Sequence, residues 1–123
     1  MSVMDVGKQL VSLCNAGKDT EAVDRLYARN IVSIEGQGTD EMPARMEGID
    51  AIRGKHRWWY DNHDVHSSKA TGPFCGHRQD QFAVTFDIDM TPKGGARTQM
   101  SEVALYTVKD GRIVQEEFLY LVP

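Results

Sequence analysis

The stretch Val103-Ala104-Leu105-Tyr106-Thr107-Val108-Lys109-Asp110-Gly111-Arg112-Ile113-Val114 reads as strand, turn, strand. Asp-Gly between two apolar, β-branched runs is a strong short-range hairpin signal, because both central residues of the favoured two-residue turn need positive φ. Such a turn pairs Lys109 with Arg112. Counting outward without interruption makes partners of Leu105 and Glu116, Val103 and Phe118, and Ser101 and Tyr120.

Two more strand-like runs precede this hairpin, Val65 to Thr71 and Gln81 to Thr91, and the hairpin strands extend over Arg97 to Val108 and Arg112 to Val122. Gly72-Pro73 through Gly76 and Pro92-Lys93-Gly94-Gly95 supply the turns between them. A four-residue loop from Pro92 to Gly95 brings Phe86 opposite Ser101, Val84 opposite Val103 and Phe82 opposite Leu105. One face then collects Phe82, Val84, Phe86, Ile88, Val103, Leu105, Val114 and Phe118, and is expected to face a core. Glu116, Ser101 and Tyr120 are its polar exceptions. The other face, with Thr85, Asp87, Met100, Glu102, Ala104, Tyr106 and Glu117, is expected to meet solvent or a second subunit.

Upstream the period changes to that of helices. Val3, Val6, Leu10, Leu13 and Cys14 form one stripe that stops at Gly17, and Ala22, Val23, Leu26 and Tyr27 form a second that runs into the β-rich Ile31-Val32-Ser33-Ile34. Arg45 to Glu47 reads as a short returning strand. Gly48 precedes a third helix that carries Ile49, Ile52, His56, Trp59 and His63 along one side. The order α-α-β-(β)-α-β-β-β-β predicts an α+β fold, a curved antiparallel sheet wrapped around three N-terminal helices.

At 123 residues the chain has the length of one domain, 1–123, and no linker or repeat divides it. A net charge of −4 with scattered basic residues argues against a nucleic-acid partner. No apolar run reaches membrane-spanning length and the N-terminus lacks the order of a signal peptide, so a cytoplasmic location without membrane association is expected. Cys14 and Cys75 have no metal-ligand spacing and read as free thiols. His63, Asp64 and His66 lack a second ligand cluster, so no metal and no cofactor is expected.

Glu116 stands out. A carboxylate among Leu105, Val114 and Phe118 is either a working general acid or base or a structurally paired group, with His56 or Lys55 as its partner. Tyr120 beside Ser101 either donates to a developing oxyanion or lines the pocket mouth. His66, if it faces inward, would make a proton-transfer pair with Glu116; otherwise it is a surface residue at a helix–strand junction. Trp59 is expected to wall a pocket and Trp58 to stand at its rim or at a subunit contact, while Asp40 could overhang the mouth.

The order of elements, with the apolar strand, Asp110-Gly111, a basic residue, Ile113 and a following strand of alternating polar residues, resembles the SnoaL-like branch of the NTF2-like superfamily. The resemblance extends over nearly the whole chain. It implies a cone-shaped α+β barrel of the NTF2-like, cystatin-like type, a pocket between sheet and helices, and a homodimer formed through the sheet. It also implies a small-molecule ligand and a cofactor-independent isomerase, cyclase, dehydratase or hydrolase. The alternative is a non-catalytic ligand-binding or dimeric assembly module. Measured from the turn, the oxyanion-hole acid of ketosteroid isomerases falls at Val103, and the histidine and aspartate of SnoaL-like cyclases fall at Glu116 and near Leu121. None matches, so the family implies the fold and the pocket's position and not a catalytic set. The candidate catalytic residues are therefore Glu116, His66 and Tyr120, and the candidate ligand-binding residues Trp59, Phe82, Val84, Phe86, Ser101, Val103, Leu105 and Phe118.

Overall fold

The computed structural model describes residues 1–122. Helix α1 (Val3–Asn15) starts where Ser2 and Asp5 cap one another reciprocally, each side chain bonding the other's backbone N–H. Helix α2 (Asp19–Leu26) passes directly into strand β1 (Tyr27–Ile34), and the short β2 (Arg45–Glu47) returns beside it. Helix α3 (Ile49–Asn62) is followed by four long strands, β3 (His63–Phe74), β4 (Gln81–Pro92), β5 (Thr98–Lys109) and β6 (Arg112–Leu119).

The six strands form one sheet in the order β2-β1-β6-β5-β4-β3, with β1 and β6 parallel and the other pairs antiparallel. The helices cover its inner face. Val6 and Leu10 of α1, Ala22, Val23 and Leu26 of α2, and Ile52 of α3 are buried with Ile31, Ala70, Phe82, Val84, Ala104, Tyr106 and Ile113. The end of α1 is tied to the sheet by Asn15, whose amide both donates to the Ala70 carbonyl (2.9 Å) and accepts from the Ala70 N–H (2.7 Å). No helix among the described residues is long and apolar enough to cross a membrane.

The register corrects the expected faces in two places. The Asp110-Gly111 turn has φ values of 53° and 75° and pairs Lys109 with Arg112 and Val108 with Ile113, as a two-residue hairpin of this hand requires. The next pair is Thr107 with Gln115, so Val114 is an extra residue, a β-bulge. Glu116 therefore lies opposite Tyr106 and Phe118 opposite Ala104, instead of Leu105 and Val103. At the other end of β5 the ladder with β4 closes at Met90 and Thr98, which leaves residues 91–97 for a turn one residue out of step with a four-residue loop. Phe86 faces Glu102, Val84 faces Ala104 and Phe82 faces Tyr106.

That single shift turns β5 over. Glu102, Ala104, Tyr106 and Val108 point inward, and Ser101, Val103 and Leu105 point outward, with Val103 38% exposed. The expected assignment of Ser101, Val103 and Leu105 to the inner face is thus reversed, as is that of Glu102, Ala104 and Tyr106 to the outer one. Glu116 and Phe118 stay inside because the bulge at Val114 compensates for the shift.

Candidate active site

Between α3, the α1–α2 turn and the inner face of the sheet lies a cavity of about 670 Å³. Its walls are aromatic: Trp58 and Trp59 from α3, Phe86 from β4, Tyr106 from β5 and Phe118 from β6. Trp59 is held by His63, whose ring stacks on the indole with centroids 3.8 Å apart and whose Nδ1 lies 2.9 Å from the Trp59 carbonyl.

The floor is polar. Glu116 is only 1% exposed. Tyr27 donates to its Oε2 at 2.5 Å and Ser33 donates to its Oε1 at 3.0 Å. The Ser33 oxygen in turn accepts from Lys55 Nζ at 2.9 Å, and the same ammonium meets Glu35 Oε1 at 2.9 Å and lies 4.6 Å from the centre of the Phe118 ring. A continuous path of short contacts thus links Tyr27, Glu116, Ser33, Lys55 and Glu35. A serine hydroxyl that accepts from the lysine is free to give its one proton to the carboxyl oxygen beyond. Burial, and then the charge of Glu116, pushes the Tyr27 phenol well above its ordinary range, which keeps it a donor.

Two further features mark the carboxyls here. Glu35 Oε2 is buried without a hydrogen-bond partner, and desolvation raises this group's pKa against the opposing pull of Lys55. Glu102 reaches the cavity from the middle of β5, beside these residues, and desolvation followed by the charge of Glu35 pushes it up to about 7. Three carboxyls share one lysine here. Desolvation first, and then repulsion between like charges, favours the protonated form of Glu102.

The candidate residues divide by position. Glu116, Phe118, Trp59, Phe86 and Tyr120 line the cavity. Tyr120 stands at its rim, its hydroxyl accepting from the Gln37 N–H at 3.1 Å. Phe82 and Val84 are buried behind the wall, Phe82 stacked on Tyr106 at 5.0 Å. Ser101, Val103 and Leu105 lie on the outer face, where the Ser101 hydroxyl donates to Asp87 at 2.6 Å. His66 is exposed, with Nε2 2.7 Å from the Thr91 hydroxyl, and is not among the cavity residues. Glu116 and Tyr120 therefore share the cavity, and His66 does not join them. Asp40 is exposed. Among the described residues no three His, Cys, Asp or Glu side chains are grouped to hold a metal ion.

The residues that sequence reasoning missed had a signal. Ile31, Ser33 and Glu35 alternate along β1 and its exit, so one face passes from apolar to polar toward the cavity. Lys55, named from the sequence only as a possible partner of Glu116, stands one helical turn from the expected wall residue Trp59 on α3, which aims the ammonium at the same space as the indole. Glu102 was hidden by the register, which no periodicity could have revealed.

Residues 1–120 match the sequence profile of a SnoaL-like domain. A candidate SnoaL-like polyketide cyclase from Mesorhizobium loti is 38% identical, with 98% of this chain and 100% of that one superposed at a TM-score of 0.90. A candidate polyketide cyclase from Pseudomonas putida superposes at 0.73 with 12% identity over 99% and 93% of the two chains. A protein of cystatin-like fold from Xanthomonas campestris does so at 0.78 with 14% identity over 99% and 92%. Among functionally curated proteins, no sequence matches. The arrangement of helices, sheet and cavity, together with the profile match over nearly the full length, establishes that this chain belongs to the SnoaL-like family.

Proposed function

We propose that the cavity binds a small apolar or aromatic molecule that carries at least one oxygen, and that the protein moves a proton on it without a cofactor, as an isomerase, cyclase, dehydratase or hydrolase. The observation that carries this reading is Glu102: a carboxyl in an aromatic cavity, with its ionisation raised to about 7. A group poised there can donate to a ligand oxygen in one state and abstract a proton in the other. Lys55 holds Glu35 and places positive charge where negative charge would develop on the ligand. Glu116, filled by Tyr27 and Ser33, positions Lys55 through Ser33 and is not the proton-transfer group. Tyr120 serves the rim. The Mesorhizobium loti relative is named both a candidate SnoaL-like polyketide cyclase and a carbohydrate phosphatase, and either activity has a small oxygen-bearing molecule as its ligand.

The outer face of the sheet supports a homodimer, with Val103, Leu105 and Leu119 replacing the Met100, Ala104 and Tyr106 surface expected earlier. Val103 and Leu119 are 38% and 48% exposed, and apolar area of this kind is normally covered.

The test is a thermal-shift screen of aromatic ketones and polyphenols, followed by affinity measurements from about pH 5 to pH 9. Bound ligand raises the melting temperature by mass action. The wild-type protein is expected to change affinity through about pH 7, and Glu102→Gln is expected to lose the part of that change that Glu102 supplies. An unchanged profile in Glu102→Gln would remove Glu102 from the chemistry.

A further inference from the structure

The helix wall of the cavity holds a second cluster of titratable groups that the Glu102 site does not use. His56 of α3 and Asp19 at the start of α2 both line the cavity, with His56 Nδ1 3.8 Å from Asp19 Oδ2. That oxygen also accepts from the Tyr60 hydroxyl at 2.6 Å, and Tyr60 is one helical turn along α3 from His56. His56 Nδ1 is buried and makes no hydrogen bond. A buried ring nitrogen without a partner is costly unless it carries a proton that a nearby anion attracts or a ligand completes the arrangement. Asp19 is the anion beside it, at ion-pair and not hydrogen-bond distance. The opposite nitrogen, Nε2, is then the one left to present to the cavity.

We propose that His56, oriented by Asp19, is a second proton-handling group of this cavity, so that the ligand is a flat aromatic body with an oxygen at each end, one bound at Glu102 and the other at His56. This rests on the proposed function and adds the ligand's second pole. Glu102 belongs to the sheet wall and His56 to the helix wall, so the two groups enter the cavity from different elements. The aromatic side chains that line the same cavity, Trp59, Phe86 and Phe118, suit a planar body. Tyr60 keeps Asp19 in place, and burial with the Asp19 contact raises its phenol's pKa, so that it remains a donor. The other ionisable groups around His56 are Cys14 from α1, whose thiol burial pushes up to about 12 and thus keeps neutral, and Lys55 on its own helix, which is engaged by Ser33 and Glu35. Asp19 is a positioning residue in this scheme and His56 the group that touches the ligand.

Two measurements test it. Long-range ¹H–¹⁵N spectra of the full chain read the tautomer of His56 without any ligand. The proton is expected on Nδ1 in the wild type and redistributed between the two nitrogens in Asp19→Asn. The same tautomer in both would overturn the orienting role and with it the proposal.

The second compares 2-naphthol with 2,6-dihydroxynaphthalene by titration calorimetry. The diol is expected to bind roughly tenfold more tightly to the wild type, the worth of about one well-made hydrogen bond. His56→Phe is expected to abolish the preference, so that the two compounds bind that variant equally, and His56→Gln, which keeps a polar group should the Phe variant fold poorly, to reduce it. A diol preference that survives both variants, or is absent in the wild type, overturns the second pole and leaves the reading of Glu102 standing. If neither compound binds the wild type, the reading of the cavity as an aromatic site falls, and the second pole falls with it.

Discussion

Glu116 and Glu102 show how neighbouring carboxyls in one cavity acquire different duties. Glu116 accepts from Tyr27 and Ser33, so its charge is satisfied within the protein and its removal would leave two buried donors without an acceptor. Glu102 lacks such partners, and its burial, with the charge of Glu35 added, makes it hold its proton longer. Its ordinary value of 4.5 governs the unfolded chain and about 7 the native one. Between these limits the native state binds one proton more than the unfolded state, so raising the pH favours unfolding and stability falls across this window before levelling above it. Glu35 is shifted in the same direction and adds to the slope, which makes the difference between proteins the informative quantity. Glu102→Gln is expected to lose less stability than the wild type between about pH 4.5 and pH 8, by up to about 3 kcal/mol. Urea unfolding at several pH values measures this, and parallel curves for the two proteins would contradict it.

At the level of elements, the existence and order of the helices and strands were legible in the sequence, because amphipathic stripes and turn residues are local signals. Strand β4, expected over Gln81 to Thr91, spans Gln81–Pro92, and the third helix falls where the stripe from Ile49 to His63 placed it. Register was not legible. A bulge adds one residue without changing the local composition, and a turn of Pro, Lys and Gly can close in more than one step, so Val114 and residues 91–97 left no trace that counting could use. The inner position of Glu116 was anticipated through two displacements that cancel, whereas Glu102 suffered only one. The bulge predicts an asymmetry. Deleting Val114 alone leaves Gln115 opposite Thr107 and Glu116 opposite Tyr106, so the variant is expected to fold cooperatively with a loss of no more than about 2 kcal/mol. Deleting Val114 and Gln115 together would bring Glu116 opposite Thr107 and turn it and Phe118 outward, and near-ultraviolet circular dichroism is expected to show no cooperative transition. Equal behaviour of the two deletions would mean that β6 is not held by this register.

For the whole molecule, the same sheet serves two surfaces, one closed over by helices and one left with apolar side chains in the open. Leu119 and Val103 are cross-strand partners on that open side. If two copies meet there, a charge at the centre of the contact must be desolvated without a partner. Leu119→Glu is expected to convert a dimer to a monomer in light scattering, with the fold and the cavity retained because the side chain never reaches the interior. A wild-type protein that is already monomeric at micromolar concentration would remove the outer face from consideration as an interface. The bulge at Val114 also has a use in engineering. It restores a numerical parity: even-numbered positions 82–88, 102–108 and 116–118 belong to the inside, and their odd neighbours to the outside, with Ile113 breaking the rule. A randomised library confined to the even codons would explore new ligand specificities while leaving the molecule's exterior, and whatever it associates with, unaltered.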